Sequence, residues 1–97
     1  MTDDSPLSVV DGTWRVGGPL TVDTLAAIID ASAKLTLPDQ GTVDFSGVGV
    51  VDSAAVAAVI AWKRRALNEQ KPLRYVNLPR ALSTLADLYG VEDLIGS

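Results

Sequence analysis

The chain has 97 residues and no cysteine or histidine, so it can form one domain with a modest core but no disulfide, thiol nucleophile or Cys/His zinc site. Its net charge of −4 disfavours general nucleic-acid binding. No apolar run reaches the roughly 20 residues that a membrane span requires, and the acidic beginning MTDDSPLS lacks the apolar centre of a signal peptide. We therefore expect a cytoplasmic protein.

Positive charge is concentrated in the second half of the chain. All the basic residues after position 52 lie between Lys63 and Arg80, whereas acidic residues predominate before it. This distribution fits either a local patch for an acidic protein surface or an ordinary solvated face. The sequence leaves both interpretations open.

The first predicted element is a β-hairpin. Two short runs of strand-forming residues, 7–10 and 13–16, flank Asp11-Gly12, a dipeptide typical of a tight two-residue turn. Gly17-Gly18-Pro19 should end the second strand. We expect residues 1–6 to be frayed.

A first helix should follow the hairpin, with Thr21 or Asp23 as its N-cap. Apolar residues at helical spacing predict its buried stripe, which comprises Leu25, Ile28, Ile29 and Leu35. Pro38 and Gly41 mark the loop that leaves this helix.

The most informative stretch covers residues 43–67, with the sequence VDFSGVGVVDSAAVAAVIAWKRRAL. Its start predicts a buried strand at residues 43–45, which Ser46-Gly47 should interrupt. Asp52 and Ser53 stand where a helix should begin, and either side chain can accept a hydrogen bond from an N–H group of the first turn. The helix then continues for several turns without Gly or Pro.

Helical periodicity divides this second helix into two faces. The face expected to lie against the sheet carries Val56, Val59, Ile60 and Leu67, with Lys63 near its far end. The outward face carries Ala54, Ala57, Ala61, Arg64, Arg65 and Asn68. Small side chains let another surface approach closely, and the arginines could attract an acidic partner. Alanine is also the best helix former, so the pattern alone does not choose between a docking face and an ordinary helix.

A short strand at residues 73–76 and a final helix complete the predicted elements. Asn77 is the expected helix cap, with Pro79 in the first turn, and Gly90 suits the left-handed residue at the helix end. The apolar face of this helix should comprise Leu82, Leu85, Ala86 and Tyr89. Three further apolar residues should fold back as a final patch: Val91, Leu94 and Ile95.

The element order β-β-α-β-α-β-α predicts a single α/β domain with a small mixed sheet of about four strands and about three main helices. Gly47 and Gly49 lack the third glycine of a dinucleotide fingerprint and a following Lys-Ser/Thr pair, so they do not form a phosphate loop. Asp44, Asp52 and Ser53 are the candidates for chemistry, and without histidine or lysine beside them we favour structural roles. We expect no cofactor, no metal and no enzymatic activity.

Two motifs in this stretch resemble the STAS domain family, which includes the anti-sigma-factor antagonists and the STAS subunit of the Mla phospholipid-transport system. The family pattern is a strand ending in Asp-x-Ser, a short loop, and Asp-Ser/Thr followed by two small residues and a hydrophobic helix. Here it reads Val43-Asp44-Phe45-Ser46 and Asp52-Ser53-Ala54-Ala55-Val56. The closing segment, Asn77-Leu78-Pro79 and then residues 85–91, is similar to the last helix of the Mla member.

One position separates the two kinds of family member. In phospho-switched antagonists the regulatory serine directly follows the Asp-Ser pair, and that position is Ala54 here, which cannot carry phosphate. Ser53 retains a hydroxyl group, and we expect this hydroxyl to be hydrogen-bonded as part of the helix cap. The local sequence therefore resembles the Mla type more closely.

The resemblance implies a non-catalytic subunit that binds the MlaF-like ATPase of an ABC transporter. That transporter moves phospholipids and helps maintain outer-membrane asymmetry. Such a subunit lies peripherally on the inner-membrane complex, without inserting into the membrane or binding nucleic acid. The contact surface of the Mla member is centred on the start of its second long helix. Carried over to this sequence, the partner-binding residues are Asp52, Ser53, Ala54, Ala57, Ala61, Arg64 and Arg65. The alternative is a partner-switching protein that binds an anti-sigma kinase but lacks the switch residue.

Overall fold

The computed structural model describes residues 6–91. In this range the chain forms strands β1 (Leu7–Val10), β2 (Thr13–Leu20), β3 (Thr42–Val51) and β4 (Arg74–Val76), and helices α1 (Leu25–Ala33), α2 (Ser53–Asn68) and α3 (Arg80–Leu88). The predicted α/β class and element order are therefore confirmed. Fraying was predicted for residues 1–6; residues 1–5 lie outside the described range, as do Leu94 and Ile95 of the predicted apolar patch. Pro6 is described, and its carbonyl accepts a hydrogen bond from the N–H of Gly17 at 3.0 Å, so the prediction is wrong for that residue.

The four strands form one mixed sheet in the order β1-β2-β3-β4. β1 pairs antiparallel with β2, whereas β2 pairs parallel with β3 and β3 with β4. The β1–β2 turn has φ values of 53° at Asp11 and 76° at Gly12, the backbone that a two-residue hairpin turn needs. The two parallel connections pass through α1 and α2, and right-handed crossovers in the same direction put both helices on one face.

The core lies between this helical layer and the sheet. The sheet residues that point toward the helices are buried: Leu7, Trp14, Val16, Val43, Phe45 and Tyr75. The most deeply buried residues of α2 are Ala55, Ala58, Val59, Trp62 and Ala66. The Trp62 ring packs edge-on against Trp14 and Phe45, with 5.9 Å and 6.3 Å between ring centroids. These three rings are the largest fully buried side chains in the described range.

The buried face of α2 is rotated from the predicted one. Leu67, expected to lie against the sheet, is 70% exposed, whereas Ala54, expected to face outward, is only 8% exposed. The other three residues predicted for the sheet face are wholly or partly buried: Val56, Val59 and Ile60. The rotation follows from Trp62, because its large ring occupies the interface and centres the buried face on its own side of the helix.

Strands β2 and β3 both continue past the glycines that were expected to end them, so those two predictions are wrong. Gly17 pairs with Gly47, and the ladder reaches Leu20 and Val51 with two register shifts. A Cβ at Gly47 would lie 3.2 Å from the carbonyl oxygen of Val16, so glycine is what allows the two backbones to approach. We call residues 17–20 and 47–51 the glycine ribbon.

Two helix caps also differ from the predictions. α1 has Thr24 as its N-cap, rather than Thr21 or Asp23, and no side chain makes a capping hydrogen bond there. α3 has Pro79 as its N-cap, rather than Asn77, whose amide instead donates a hydrogen bond to the carboxylate of Asp44. Both predictions rested on the residues next to each helix start. They missed that Asn77 bonds to Asp44, which is distant in the chain.

The end of α3 agrees with the sequence except at one residue. Gly90 has φ of 69°, the left-handed backbone expected just after the helix. Leu82 and Ala86 are buried, and Leu85 and Val91 are partly buried against the core. Tyr89, which was predicted to belong to the apolar face, is 57% exposed.

Candidate docking surface

Helix α2 begins at a cap made by Asp52. The backbone of Asp52 is extended, and one carboxylate oxygen accepts a hydrogen bond from the N–H of Ala54 at 2.8 Å. The other oxygen accepts a hydrogen bond from the N–H of Val22, in the loop after β2, at 3.1 Å. One side chain therefore satisfies a free N–H group of the first helical turn and ties that turn to a neighbouring loop.

Ser53 is the first residue of α2 and does not cap it. Ser53 is exposed, and the side chain that makes the capping hydrogen bond is that of Asp52. The expectation that capping occupies this hydroxyl is therefore wrong. Asp52 is the cap because it precedes the first helical residue with an extended backbone, which points its carboxylate back at the N–H groups of the first turn.

The outward side of α2 carries short side chains near the helix start and a basic residue further along the helix. Its exposed residues recur at helical spacing: Ser53, Ala57, Ala61, Arg64 and Asn68. The first three have short side chains, so the helix backbone is accessible to a close approach. Val22 and Val50, which lie beside the Asp52 cap, are 71% and 67% exposed. We call Ser53, Ala57, Ala61, Val22 and Val50 together the α2-start surface.

The structure brings most of the predicted partner-binding residues to one side of α2, with two corrections. Ala54 is buried beneath the start of the helix and offers almost no surface to a partner. Arg65 is half-buried and donates hydrogen bonds to the backbone carbonyls of Ser32, at 2.9 Å, and of Leu35. Because those carbonyls end α1, Arg65 joins two helices of its own domain.

Two exposed valines of this surface were missed by the sequence reasoning. Val22 stands between polar residues in a loop, and Val50 stands in a strand whose extent was predicted to be shorter. A single valine in a loop carries no periodic signal, and the predicted strand ended before Val50 was reached. The pairing of Leu20 with Val51 and the hydrogen bond between Val22 and Asp52 put the loop after β2 beside the start of α2.

The carboxylate of Asp44 is held by neighbours from three strands and loops. It accepts hydrogen bonds from the amide of Asn77 at 3.0 Å and from the N–H of Ser46 at 2.9 Å, and Arg15 lies 3.9 Å away. The hydrogen bonds from Asn77 and Ser46 favour the charged form and lower the pKa of Asp44 from its ordinary value. The carboxylate of Asp44, like that of Asp52, is therefore engaged in hydrogen bonds within the domain.

Lys63 is likewise engaged within the domain. Its ammonium group donates a hydrogen bond to the carbonyl of Leu73 and lies 5.5 Å from the centroid of the Tyr75 ring. Burial lowers the pKa of Lys63 from its ordinary value. The exposed cation of the outward stripe is thus Arg64, one residue further on.

The described residues were expected to hold no metal and no membrane span. In the described range, no group of three or more His, Cys, Asp or Glu side chains could hold a metal ion, and no helix is long and apolar enough to cross a bilayer. A pocket of about 70 Å³, lined in part by Trp14, Leu35 and Leu37, lies beside the β1–β2 hairpin. This volume is well below the roughly 300 Å³ at which small-molecule sites begin.

The described residues form a small two-layer α/β domain, with helices packed on a mixed sheet. A family model named STAS_2 and described as "Mlab, STAS domain" matches residues 7–96. The chain belongs to this family of MlaB-type STAS domains, which confirms the resemblance drawn from the sequence. STAS domains are generally regulatory or binding domains without catalytic activity. No curated protein matches the chain.

Proposed function

We propose that the chain is the STAS subunit of an Mla-type phospholipid-transport ABC transporter and that it binds and supports an MlaF-like ATPase. It would catalyse no reaction itself. As part of the inner-membrane complex it would lie peripherally on the cytoplasmic side and contribute to outer-membrane lipid asymmetry. Residues 1–97 would act as one STAS domain. The family match across residues 7–96 supports this choice of partner.

The observation that carries the proposal is the exposed stripe Ser53, Ala57 and Ala61 on a helix whose start is held by Asp52. Alanine loses no side-chain rotamers on binding, and the cap orders the first turn before a partner arrives. Both features lower the entropy cost of docking. Ordinary solvent-facing helices carry long charged side chains instead.

The charge beside this surface is a second feature that would favour docking of the ATPase. Arg64 continues the stripe and is exposed, whereas Arg65 is occupied by carbonyls of α1. An acidic residue on the ATPase could therefore pair with Arg64 at the rim of the contact. Charges at a rim accelerate association and set orientation more than they add affinity.

Support of ATP turnover would require the domain to bind one conformation of the ATPase more tightly than another. A subunit that binds all conformations equally would stabilise the complex without changing its turnover. Comparing ATP hydrolysis by the ATPase with and without this chain separates activation from simple stabilisation.

The test is the variant Ala57→Arg, with Ala33→Arg as a matched control at an exposed position near the end of α1. We expect Ala57→Arg to weaken binding to the purified ATPase more than tenfold, and Ala33→Arg to bind like the unchanged chain. Urea unfolding establishes that both variants are folded. A folded Ala57→Arg protein with normal affinity would show that the docking face is elsewhere.

The alternative function predicts a different partner. A partner-switching antagonist would bring down an anti-sigma kinase and no transporter subunit in an affinity purification followed by mass spectrometry. Recovery of the ATPase supports the proposal, and recovery of the kinase alone contradicts it. The buried alanine at position 54 agrees with the transporter subunit, because a phospho-switch needs a hydroxyl there that a kinase can reach.

A further inference from the structure

An apolar pocket lies between the β1–β2 hairpin and the loop that joins α1 to β3. Trp14 lines it and is fully buried, as are Leu37 and Pro38 of the loop. Val9 of β1 also lines it and is 52% exposed, so the pocket reaches from the core to the surface. We call it the hairpin pocket; the described residues that line it are Val9, Gly12, Trp14 and residues 35–39.

Two hydrogen bonds hold the loop against the hairpin. The indole N–H of Trp14 donates to the carbonyl of Thr36 at 3.2 Å, and the N–H of Gln40 donates to the carbonyl of Gly12 at 3.4 Å. The walls of the pocket are therefore in place before a ligand arrives, which lowers the entropy cost of binding. A volume of about 70 Å³ is roughly twice the share of one water molecule in the liquid, so it suits the end of one side chain.

The backbone of Val9 points out of the sheet edge beside this pocket. Between residues 6 and 91, β1 pairs only with β2, and its ladder has no register shift. The N–H of Gly17 donates to the carbonyl of Pro6, which makes these two residues a hydrogen-bonded pair. Because bonded and non-bonded pairs alternate along an antiparallel ladder, Val9 and Trp14 are a non-bonded pair. The N–H and C=O groups of Val9 therefore point away from β2.

We infer that the hairpin pocket and the outer edge of β1 at Val9 bind an extended segment of another protein, with one apolar side chain in the pocket and a basic residue beside Asp39. A residue placed opposite Val9 would bond to its backbone, and its side chain would lie on the face of the sheet that carries the pocket. Leu7 is only 5% exposed, so the segment would be held at Val9 and not along a full strand.

The basic residue follows from the charge at the pocket. Asp39 is exposed and is the only charged residue among the described residues that line it. The ion pairs found among the described residues do not include Asp39. Asp11, in the hairpin turn next to Gly12, is also exposed. A basic side chain is therefore attracted to this rim and an acidic one is repelled.

This site is separate from the α2-start surface. The glycine ribbon lies between them, since β2 runs from Trp14 through the ribbon to Leu20, which pairs with Val51 just before the Asp52 cap. The strand from Trp14 to Leu20 spans about 20 Å at the usual rise per residue. The domain could bind this segment and an ATPase at the same time, and the inference does not depend on the proposed function.

An NMR titration of the full-length, isotope-labelled chain tests the site. The probes are two end-blocked peptides, Thr-Leu-Thr-Arg-Thr and Thr-Arg-Thr-Leu-Thr, because alternate residues of a strand share a face and the two orders cover both strand directions. We expect the indole N–H signal of Trp14 and the amide signal of Val9 to shift. The indole signal of Trp62, which is bonded to Ser32 in the core, should stay in place. Serine in place of the peptide leucine should weaken binding at least tenfold, and glutamate in place of arginine at least threefold.

Two variants locate the binding. Asp39→Lys should reverse the preference between the arginine and glutamate peptides, whereas Asp30→Lys, at an exposed position of α1, is the matched control and should keep it. Val9→Pro removes the outward N–H without removing a hydrogen bond to β2, and it should weaken binding of both probes. An unchanged Trp62 indole signal establishes that each variant is folded.

Three results would overturn the inference. The first is a Trp14 indole signal that does not move at millimolar peptide. The second is equal binding of the arginine and glutamate peptides, or binding by Asp39→Lys that matches the unchanged chain. The third is a shift of the same signals when the chain alone is concentrated, because a second copy of the chain would then occupy the pocket.

Discussion

The carboxylate of Asp52 accepts a hydrogen bond from the backbone N–H of Val22, 30 residues earlier in the chain. This contact forms because β2 and β3 are parallel neighbours whose ends, Leu20 and Val51, are paired. The loop after β2 and the turn before α2 therefore leave the sheet side by side. One carboxylate holds both segments of the α2-start surface in position.

Removing this carboxylate should destabilise the domain, whereas removing the neighbouring hydroxyl should not. We expect Asp52→Ala to lower the free energy of unfolding by about 1–2 kcal/mol, because it removes the helix cap and leaves two N–H groups without their acceptor. In a domain of this size, each kcal/mol corresponds to roughly 4–8 °C in Tm. Ser53→Ala is the matched control and should change stability by less than about 0.5 kcal/mol. Urea and thermal unfolding would measure both, and equal losses would mean that Ser53 shares the cap.

Adjacent arginines on α2 should behave differently when replaced. Arg65→Ala should cost about 1.5–3 kcal/mol, the range for hydrogen bonds to a charged group, because Arg65 bonds the carbonyls that end α1 and lies 5.8 Å from the Trp14 ring centroid. Arg64→Ala should change stability by less than about 0.5 kcal/mol, since Arg64 is exposed. Urea unfolding compares the two variants. A stable Arg65→Ala protein that no longer bound the ATPase would show that Arg65 contacts the partner.

The buried hydrogen bond between Trp62 and Ser32 should be needed for stability. The indole N–H of Trp62 donates to the Ser32 hydroxyl at 2.9 Å, and that hydroxyl donates to the carbonyl of Ile29 at 2.8 Å. Ser32→Ala leaves the indole N–H buried without an acceptor, which should cost about 1–3 kcal/mol. Ser83→Ala, at an exposed position of α3, is the control and should have little effect. Equal unfolding midpoints for the two variants would contradict this role of Ser32.

The hydrogen bond between Asn77 and Asp44 should make stability depend on pH. Because the folded state lowers the pKa of Asp44 from its ordinary value of 3.8, Asp44 stabilises the fold above that pH. This contribution is lost as the pH falls through the lowered folded-state pKa. Asn77→Gly keeps the left-handed backbone and removes the amide, so the pKa of Asp44 should rise and the stability difference from the unchanged chain should shrink in acid.

An NMR titration of the Asp44 carboxyl group, together with urea unfolding between neutral pH and about pH 2, would measure this pH dependence. The acid limit lies below the ordinary aspartate pKa, so it covers the range in which the contribution disappears. An unchanged pKa of Asp44 in Asn77→Gly would show that the amide does not hold the carboxylate.

Features that depend on a few neighbouring residues could be predicted from the sequence. Asp11-Gly12 predicted the hairpin, and Gly90 the left-handed residue after α3, because each is a local backbone preference. The alternation of strand and helix patterns predicted the α/β order, and the Asp-x-Ser and Asp-Ser motifs predicted the family. Asp52 was one of two candidate caps, and its extended backbone decided between them.

Features that depend on distant residues could not be predicted in the same way. Periodicity showed that α2 is amphipathic, but the ring of Trp62 between Trp14 and Phe45 determined which side is buried. Arg65 looked like a solvent-facing cation until α1 was packed beside it.

The sequence by itself thus determined the order of the elements, the turns and the family, because hydrogen bonding and backbone preference act over a few residues. Only the tertiary structure decided the faces of α2, the place of Val22 beside Asp52 and the pairing of β2 with β3 past their glycines. Those features are contacts between segments far apart in the chain. The free energy of such a contact depends on what packs against a residue, which the residue's own neighbours in the sequence do not specify.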